Sequence, residues 1–376
     1  MDNNFFDVAV IGGGAAGLAA AITYARRERS GSLVLIEANE VLGKKLLATG
    51  NGRCNISNLS ADGYAKTKRF FESVGVLLRV EDGGRAYPMS GQALSVRNAL
   101  VLALEREQVQ TLLGARVSKV TKGEKEFTLD FADGTEIKAK KLIIAAGGKA
   151  GPQFGCLGDG YAFARALGHG VESIRPALVP LVYTEKERDR LAGLKGVRIR
   201  SQAELFIDNK RAAASSGELQ FTEYGLSGIM IFDLSTMMPK SIIEGKPSTE
   251  VVLDFVPGEE KTSLERLIQE NEGLWLEGVV GKKLSDLLVS EAGGNVSRIA
   301  ALAKEFPVTV EGTKGWKEAQ VTHGGVRLSD VNEETGESLL CEGLYFAGEI
   351  LDPVFICGGF NLNFAWSTGL RAGENI

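Results

Sequence analysis

The sequence predicts an α/β fold in which a first domain is interrupted by an inserted second one, and three observations carry that prediction. The chain opens with an apolar run, a glycine turn and an alanine-rich stretch. Its character changes beyond Pro176 and Pro180, and its last sixty residues return to short apolar runs and glycine turns. Phe6 to Ile11 is apolar and β-rich, Ala15 to Arg29 is helical, and Leu33 to Ile36 is a second short strand ending at Glu37, which together make a βαβ start. From Ala38 to Ser60 the glycines and asparagines lack periodicity and read as a long ordered loop over a ligand. Lys68 to Gly75 and Gln92 to Arg106 are expected helices, with a tight turn at Gly83-Gly84 between them. Ala115 to Val120, Glu126 to Phe131 and Thr135 to Ala139 are expected strands of a small meander that turns at Asp133-Gly134 and ends in the apolar strand Lys141 to Ala146. The inserted part holds mixed strands from Val197 to Ile207 and helices near Ser263 to Glu272, Lys283 to Val289 and Val296 to Glu305. The expected domains are residues 1–182 with 317–376, and residues 183–316.

Composition narrows the function classes. Of 376 residues, 44% are hydrophobic and 24% charged, which excludes a disordered or fibrous chain. Glycine is abundant, 47 against 9 prolines, which points to tight backbone turns near ligands more than to linkers. Lys and Arg number 43 against 48 Asp and Glu, a net charge of −5, so no long-range positive field attracts nucleic acid or an anionic membrane. The expected partner is a small molecule, with no nucleic acid and no membrane. Val8 to Ala25 is an uncharged run long enough to consider as a membrane span, but Gly12-Gly13-Gly14 would break such a helix in its middle. No basic leader precedes it, and a cytoplasmic protein is expected. Cys54, Cys156, Cys341 and Cys357 are scattered, and His169 and His323 are the two histidines, so neither a disulfide framework nor a metal cluster is expected.

Gly12-Gly13-Gly14-Ala15-Ala16-Gly17 is a G-x-G-x-x-G motif between a strand and a helix. Gly12 permits the turn, Gly14 lets a pyrophosphate approach the backbone, and Gly17 lets the helix pack on the sheet, with the phosphates at the helix N-terminus. Glu37 stands twenty residues after Gly17, where a carboxylate accepts from a ribose diol and disfavours a 2′-phosphate. NAD and FAD share this fingerprint. Further glycine sites follow at Gly43-Lys44-Lys45, Gly50-Asn51-Gly52-Arg53-Cys54-Asn55 and Leu344-Tyr345-Phe346-Ala347-Gly348-Glu349.

These blocks, with A-A-G-G-K-A-G-P-Q-F-G, G-E-L-Q-F-T-E-Y-G-L-S-G, A-Q-V-T-H-G-G-V and G-G-F-N, resemble over nearly the whole length a predicted flavoprotein family. That family includes aminoacetone oxidases and bile-acid enone reductases among the two-dinucleotide-binding-domain flavoproteins. The resemblance implies FAD on a discontinuous Rossmann-like domain, with an inserted domain that combines a β-barrel-like part and a helical part. It implies that Gly12, Gly14, Ala15, Ala16 and Gly17 hold the pyrophosphate and that Glu37 and Ala38 lie at the adenosine ribose. Lys45, Asn51, Gly52, Arg53, Cys54 and Asn55 would line the loop beside the ribityl chain and flavin. Gly348 and Glu349 match a second FAD motif, and Gly358, Gly359 and Asn361 precede a helix from Leu362 to Leu370 whose N-terminus would face the flavin. Ala146, Gly147 and Gly148 are either flavin neighbours or a plain strand-end turn. The chain departs from the family in a short segment after Asn58, in Pro353-Val354-Phe355 where Val-Asp-Gly is commoner, and in Glu223 where many relatives have His.

Catalytic side chains are sparse, as expected where flavin carries the chemistry. Cys54 is either a redox partner or a packed small residue. His323 is either a donor to flavin or substrate, or structural. His169 is expected to cap a helix, and Tyr161, Tyr224 and Trp366 to pack. No second G-x-G-x-x-G supplies a nicotinamide domain, so NAD(P)H as transient donor would visit the substrate face. The activity implied is FAD-dependent hydride transfer with a small organic substrate, either oxidation of an amine or reduction of an activated double bond. The alternative is a flavin-binding redox sensor or scaffold without turnover.

Overall fold

A computed structural model describes residues 4–28, 30–238, 249–271, 273–352 and 354–376. Two compact units are present, Met1–Arg175 with Val321–Ile376, and Pro176–Gln320.

In the first unit β1 (Phe5–Ile11), α1 (Ala15–Arg27) and β2 (Leu33–Ile36) form the βαβ start. β1 is parallel to β2, pairing Val8 with Leu33 through Ile11 with Ile36. The long loop carries a 3-10 segment, Leu46–Gly52, and β3 (Ser57–Asn58), and then α2 (Tyr64–Ser73) follows. β4 (Leu78–Val80) and β5 (Arg85–Pro88) make an antiparallel hairpin through the Gly83-Gly84 turn, and β3 joins them in a three-stranded sheet. After α3 (Ala93–Arg106) come β6 (Gln110–Leu112), β7 (Val117–Lys122), β8 (Phe127–Phe131) and β9 (Glu136–Ile144).

β9 corrects the sequence reading. The third meander strand and the apolar strand are one nine-residue element, because its two ends serve different neighbours. Glu136 to Ala139 pair antiparallel with β8, while Leu142 to Ile144 pair parallel with β18 (Leu344–Phe346) on the same side. Along its other side β9 runs parallel to β1. The seven-stranded sheet is ordered β6-β2-β1-β9-β8-β7, with β18 also on β9. β1, β2, β9 and β18 therefore end at the same edge, the carboxyl edge at which open α/β sheets bind ligands.

One sheet face packs Val8, Val10, Leu35, Ile143 and Tyr345 against α1, α3 and the last helix, Phe360–Asn375. The opposite face packs Ala9, Ile11, Ile144 and Phe346 against α4 (Asp159–Ala166), which brings Tyr161 and Phe163. α1 and the last helix touch closely because a Cβ at Gly369 would run into Ala16 O and one at Gly373 into Ala20 O.

The chain leaves the first unit within β10 (Arg175–Ala177) and returns at β17 (Val321–His323). In the second unit a closed barrel is ordered β11-β14-β13-β12-β15-β16, comprising β11 (Leu181–Tyr183), β12 (Arg198–Ile207), β13 (Lys210–Phe221), β14 (Gly225–Ser227), β15 (Thr249–Asp254) and β16 (Phe306–Thr313). Leu205, Leu219, Phe221, Val251, Leu253 and Val308 form its interior. The helices Lys261–Glu270, Lys282–Ala292 and Val296–Lys304 bury Leu264, Leu288 and Ile299 in the same core. The α/β class with an inserted barrel and helices is thus observed. No described helix is long and apolar enough to cross a membrane.

Candidate functional site

The carboxyl edge collects the glycine loops. Gly12 follows β1 with φ +107°, and a Cβ there would strike Ala145 O at the end of β9. A Cβ at Gly17 would strike Gly12 O, so these two glycines are demanded by the protein's own packing. Gly14 is different. It caps α1 with φ −83°, which any residue adopts, and a Cβ on it would meet nothing within 4 Å. With neither backbone nor neighbours requiring glycine, close approach by a ligand is the remaining physical reason. α1 has no side-chain cap, so the first-turn N–H groups of Ala15, Ala16 and Gly17 face this approach and suit an anion. The cradle fits the pyrophosphate of a dinucleotide.

Glu37 ends β2 and is anchored firmly. Its Oε2 accepts from Gly13 N at 2.8 Å, and its Oε1 from Asn39 N at 2.8 Å and Asn39 Nδ2 at 2.6 Å. Three of a carboxylate's roughly four acceptor positions are thereby used, leaving about one for a ribose hydroxyl. Asn39 also donates to Phe154 O at 3.2 Å and accepts from Lys44 at 3.2 Å. Ala38, between Glu37 and Asn39, is half-buried. Sequence reasoning passed over Asn39; its position two residues beyond the acid was the available signal.

Beyond the fingerprint, Lys45 Nζ pairs with Glu349 Oε2 at 2.8 Å, and Glu349 Oε1 accepts from Thr322 N at 2.8 Å. Burial opposes the Lys45 charge, but the Glu349 carboxylate outweighs it and raises the pKa above the ordinary lysine value. Thr322 Oγ1 accepts from Lys149 N at 2.7 Å and Ala150 N at 3.0 Å, which stitches β17 to the loop after β9. Gly148 is tight here: a Cβ would lie 2.7 Å from Glu349 Oε1 and collide with Thr322 Oγ1. Gly147 has φ +70° and open space, and Ala146, just before it, is half-buried. Gly348 packs on α1, where a Cβ would approach Ala16 Cβ to 2.8 Å, and its N–H donates to Thr368 Oγ1 at 2.9 Å. Lys45, Gly148, Gly348 and Glu349 therefore converge next to the fingerprint. Thr322 was missed in the sequence, although it precedes His323 in the quoted block.

Other expected residues have different engagements. Arg53 Nη2 pairs with Glu81 Oε1 at 2.5 Å, and its guanidinium lies 4.0 Å from the Tyr87 ring centroid. The hydrogen bond from Arg53 holds Glu81 below the ordinary glutamate pKa. Asn51 and Gly52 both take positive φ in the turn before it. Cys54 is fully buried in the core, and burial lifts its thiol pKa to about 12 with Thr49 opposing. The thiol packs in the core with no exposed surface. Asn55 Oδ1 is buried without a hydrogen-bond partner among the described residues. Gly359 caps the last helix with φ +100°, where a Cβ would collide with Ser57 O, and Gly358 O accepts from Asn58 Nδ2 at 3.0 Å. Asn361 is occupied by the Phe355 backbone, donating to its O at 2.9 Å and accepting from its N at 3.2 Å.

His169 is buried, its N–H capping Ala164 O at 3.0 Å and its Nε2 2.7 Å from Ser338 Oγ. Tyr161 and Trp366 are core residues, and Lys314 lies 4.4 Å from the half-buried Tyr224 ring. Glu223 is exposed and pairs with Lys195 at 2.5 Å. Pro353 lies outside the described residues; the Phe355 ring next in that loop is 5.6 Å from Phe364. No group of three or more metal-ligating side chains occurs among the described residues. His323 Nε2 lies 3.1 Å from Arg175 Nη2.

The HI0933-like protein Rossmann domain matches residues 6–69 and 59–375. The chain belongs to this family. It is 36% identical over 406 residues to a 3-dehydro-bile acid delta(4,6)-reductase of Clostridium scindens, covering 98% of both chains. It is 27% identical to a ribosomal RNA dihydrouridine synthase of Escherichia coli, covering 99% of this chain and 98% of the other. Among solved structures, a 3-ketosteroid delta1-dehydrogenase from Sterolibacterium denitrificans superposes with TM-score 0.55 at 14% identity, covering 99% of each chain. A flavocytochrome c3 fumarate reductase gives TM-score 0.52 at 17% identity, over 99% of this chain and 78% of the other. At such identities the structures share the fold alone. This HI0933-like chain is an oxidoreductase with a Rossmann FAD-binding fold.

Proposed function

We propose that the protein is an FAD-dependent reductase that saturates a carbon–carbon double bond conjugated to a carbonyl in a small organic molecule, with NAD(P)H as electron donor. The observation that carries this reading is the 36% identity across 98% of the chain with a reductase named for a delta(4,6) bile acid. The name of the more distant dihydrouridine synthase describes the same bond change, since the uracil double bond saturated in dihydrouridine is conjugated to a ring carbonyl. Oxidation of a small amine has no such support here.

The chain's residues fit the cofactor this needs. Gly14 and the α1 N-terminus would take the pyrophosphate, Glu37 one ribose hydroxyl, and the Lys45–Glu349 pair the ribityl side. FAD, when bound, supplies the hydride. The protein's own work is orientation, exclusion of water, and stabilisation of charge on the substrate oxygen.

The test has two arms. FAD-loaded protein is reduced anaerobically with NADH or dithionite and mixed with a 3-oxo-Δ4,6 steroid acid or its saturated analogue; in air, protein carrying oxidised FAD is mixed with aminoacetone. Return of the oxidised flavin spectrum with the enone alone, and a product heavier by two hydrogens, is the expected result. Flavin that the enone leaves reduced, together with oxygen uptake driven by the amine, would overturn the reading. Uridine in a ribosomal RNA fragment, tried alongside, separates the small-molecule substrate from the nucleic-acid one.

A further inference from the structure

We propose that Arg175 is the residue that binds the carbonyl oxygen of the reducible substrate, and that His323 holds it in position. The inference rests on the enone reading above.

Arg175 closes the first stretch of the first unit. Its Nη2 lies 3.1 Å from His323 Nε2. A guanidinium only donates, so His323 Nε2 must accept, which makes the imidazole neutral with its proton on Nδ1. A neutral partner gives the arginine no ion pair. Among the described residues no carboxylate lies within ion-pair distance of it. Arg175 Nε and Asp352 Oδ1 are both buried and have no hydrogen-bond partner among those residues. Burial depresses the Arg175 pKa, and the Asp352 charge works the other way. Arg175 is half-buried, but its Nε–H is buried and unmet, which is costly, and a ligand oxygen is an acceptor that would meet it.

The surroundings put this group beside the cofactor loops. Thr322, next to His323, bonds Glu349 and the backbone of Lys149 and Ala150. Asp352 comes three residues after Glu349. The turn after His323 is pressed on both sides. A Cβ at Gly324 would collide with Ser173 O, and one at Gly325 would stand 2.5 Å from Ile350 O. Those contacts fix the backbone near Arg175, His323 and Asp352 at once.

The chemistry asks for such a group. Reduced FAD, when bound, would supply a hydride (two electrons and one hydrogen) for the β-carbon; the π pair would then shift so that negative charge collects on the carbonyl oxygen, where Arg175 would donate. A proton from water then adds at the α-carbon and restores the carbonyl. The Arg175 Nε–H and an Nη–H form a fork that suits the enolate oxygen. Arg175 is then a catalytic residue and His323 a positioning residue.

The test uses the FAD-loaded full chain and 4-nitrophenolate, whose oxygen stands in for the enolate and whose colour reports binding without turnover. Arg175→Met should bind the phenolate at least about tenfold more weakly and lower kcat with the enone about 10²-fold, the scale of losing one oxyanion donor. Flavin content and melting temperature should stay the same, and Arg175→Lys should fall between. His323→Gln, whose carbonyl still accepts from Nη2, should retain most phenolate affinity, and His323→Phe should not. Undiminished phenolate binding or enone reduction in Arg175→Met would overturn the assignment while leaving the enone reading intact. Arg175-dependent phenolate binding in a protein that reduces no enone would uphold the oxyanion site and remove the enone reading.

Discussion

Replacing Glu37 by Gln tests the cofactor cradle through two independent observables. The amide keeps the size of the carboxylate but has one acceptor oxygen, whereas the native group accepts from Gly13 N, Asn39 N and Asn39 Nδ2. Whichever way the amide turns, its NH2 faces a backbone N–H. Turned one way it confronts Gly13, whose loop carries the glycine fingerprint; turned the other way it confronts Asn39, which also holds Phe154 O. One unsatisfied backbone donor costs about 1–3 kcal/mol, and the surviving bonds lose their charge assistance. At about 2–4 °C per kcal/mol for a unit of this size, the cofactor-free variant should melt about 2–12 °C lower. FAD loses a charged acceptor for its ribose, worth about 1.5–3 kcal/mol, so its dissociation constant should rise about 10- to 100-fold. Differential scanning calorimetry of the cofactor-free protein and fluorescence titration with FAD read the two effects separately. A variant that melts at the native temperature refutes the hydrogen-bond argument. Unchanged FAD affinity refutes the placement of the ribose.

Two further outcomes follow from buried and paired groups. Cys54, with its thiol pushed up to about 12 and no exposed surface, should resist alkylation at pH 8 in the folded protein and react once it is unfolded. Peptide mass spectrometry checks this, and modification of Cys54 under native conditions would sink it. Cys54→Ala should keep activity and cost about 1 kcal/mol of stability. Asp7 accepts from Lys140 Nζ at 2.7 Å and from Ser32 N at 2.8 Å, and these bonds lower its pKa from 3.8 to about 2. A depressed folded value means that the stabilisation is complete above the unfolded pKa, near 4, and is lost as pH falls toward 2. Full conversion would give about 2.4 kcal/mol, but the side chain is 35% exposed, and solvent screening reduces this to about 1 kcal/mol. Urea unfolding of Asp7→Asn should therefore differ from the native protein by that amount at pH 6 and converge with it near pH 2. A constant difference across that range would refute the linkage.

The parts of the fold that could be read in the sequence are those in which one residue type answers a local demand. Gly12 and Gly17 are required by a carbonyl oxygen within a few residues of the turn or directly across the strand pair, so the strand, turn and helix spell themselves out. β9 could not be read as one strand, because Lys140-Lys141 interrupts its apolar pattern and because its partners change from antiparallel to parallel along its length. Neither cause is local. Arg53 shows the same limit at the level of a side chain. The sequence places a cation in the loop, but Glu81 and Tyr87, which engage it, come from the β4–β5 hairpin.

The polar groups around Glu349 make the limit sharper. Lys45, Lys149, Thr322 and Glu349 are spread over three hundred residues; Lys45, Lys149 and Glu349 lie in loops that parallel strands deliver to one edge, and Thr322 joins them from β17, in a separate two-stranded sheet with β10. No periodicity encodes such a meeting, and an isolated Thr or Arg carries no motif. What marks Arg175 is a deficit, a buried N–H with no acceptor and a charge beside a neutral imidazole. That deficit becomes visible only when every neighbour is known. It also sets a chemical condition on the substrate, because an electron-rich oxygen relieves the deficit and a hydrocarbon edge does not. Reduction of a double bond conjugated to a carbonyl builds charge on such an oxygen during the step that the cofactor drives. Saturation of an isolated double bond would leave Arg175 without a role, so the enzyme should discriminate strongly between the two.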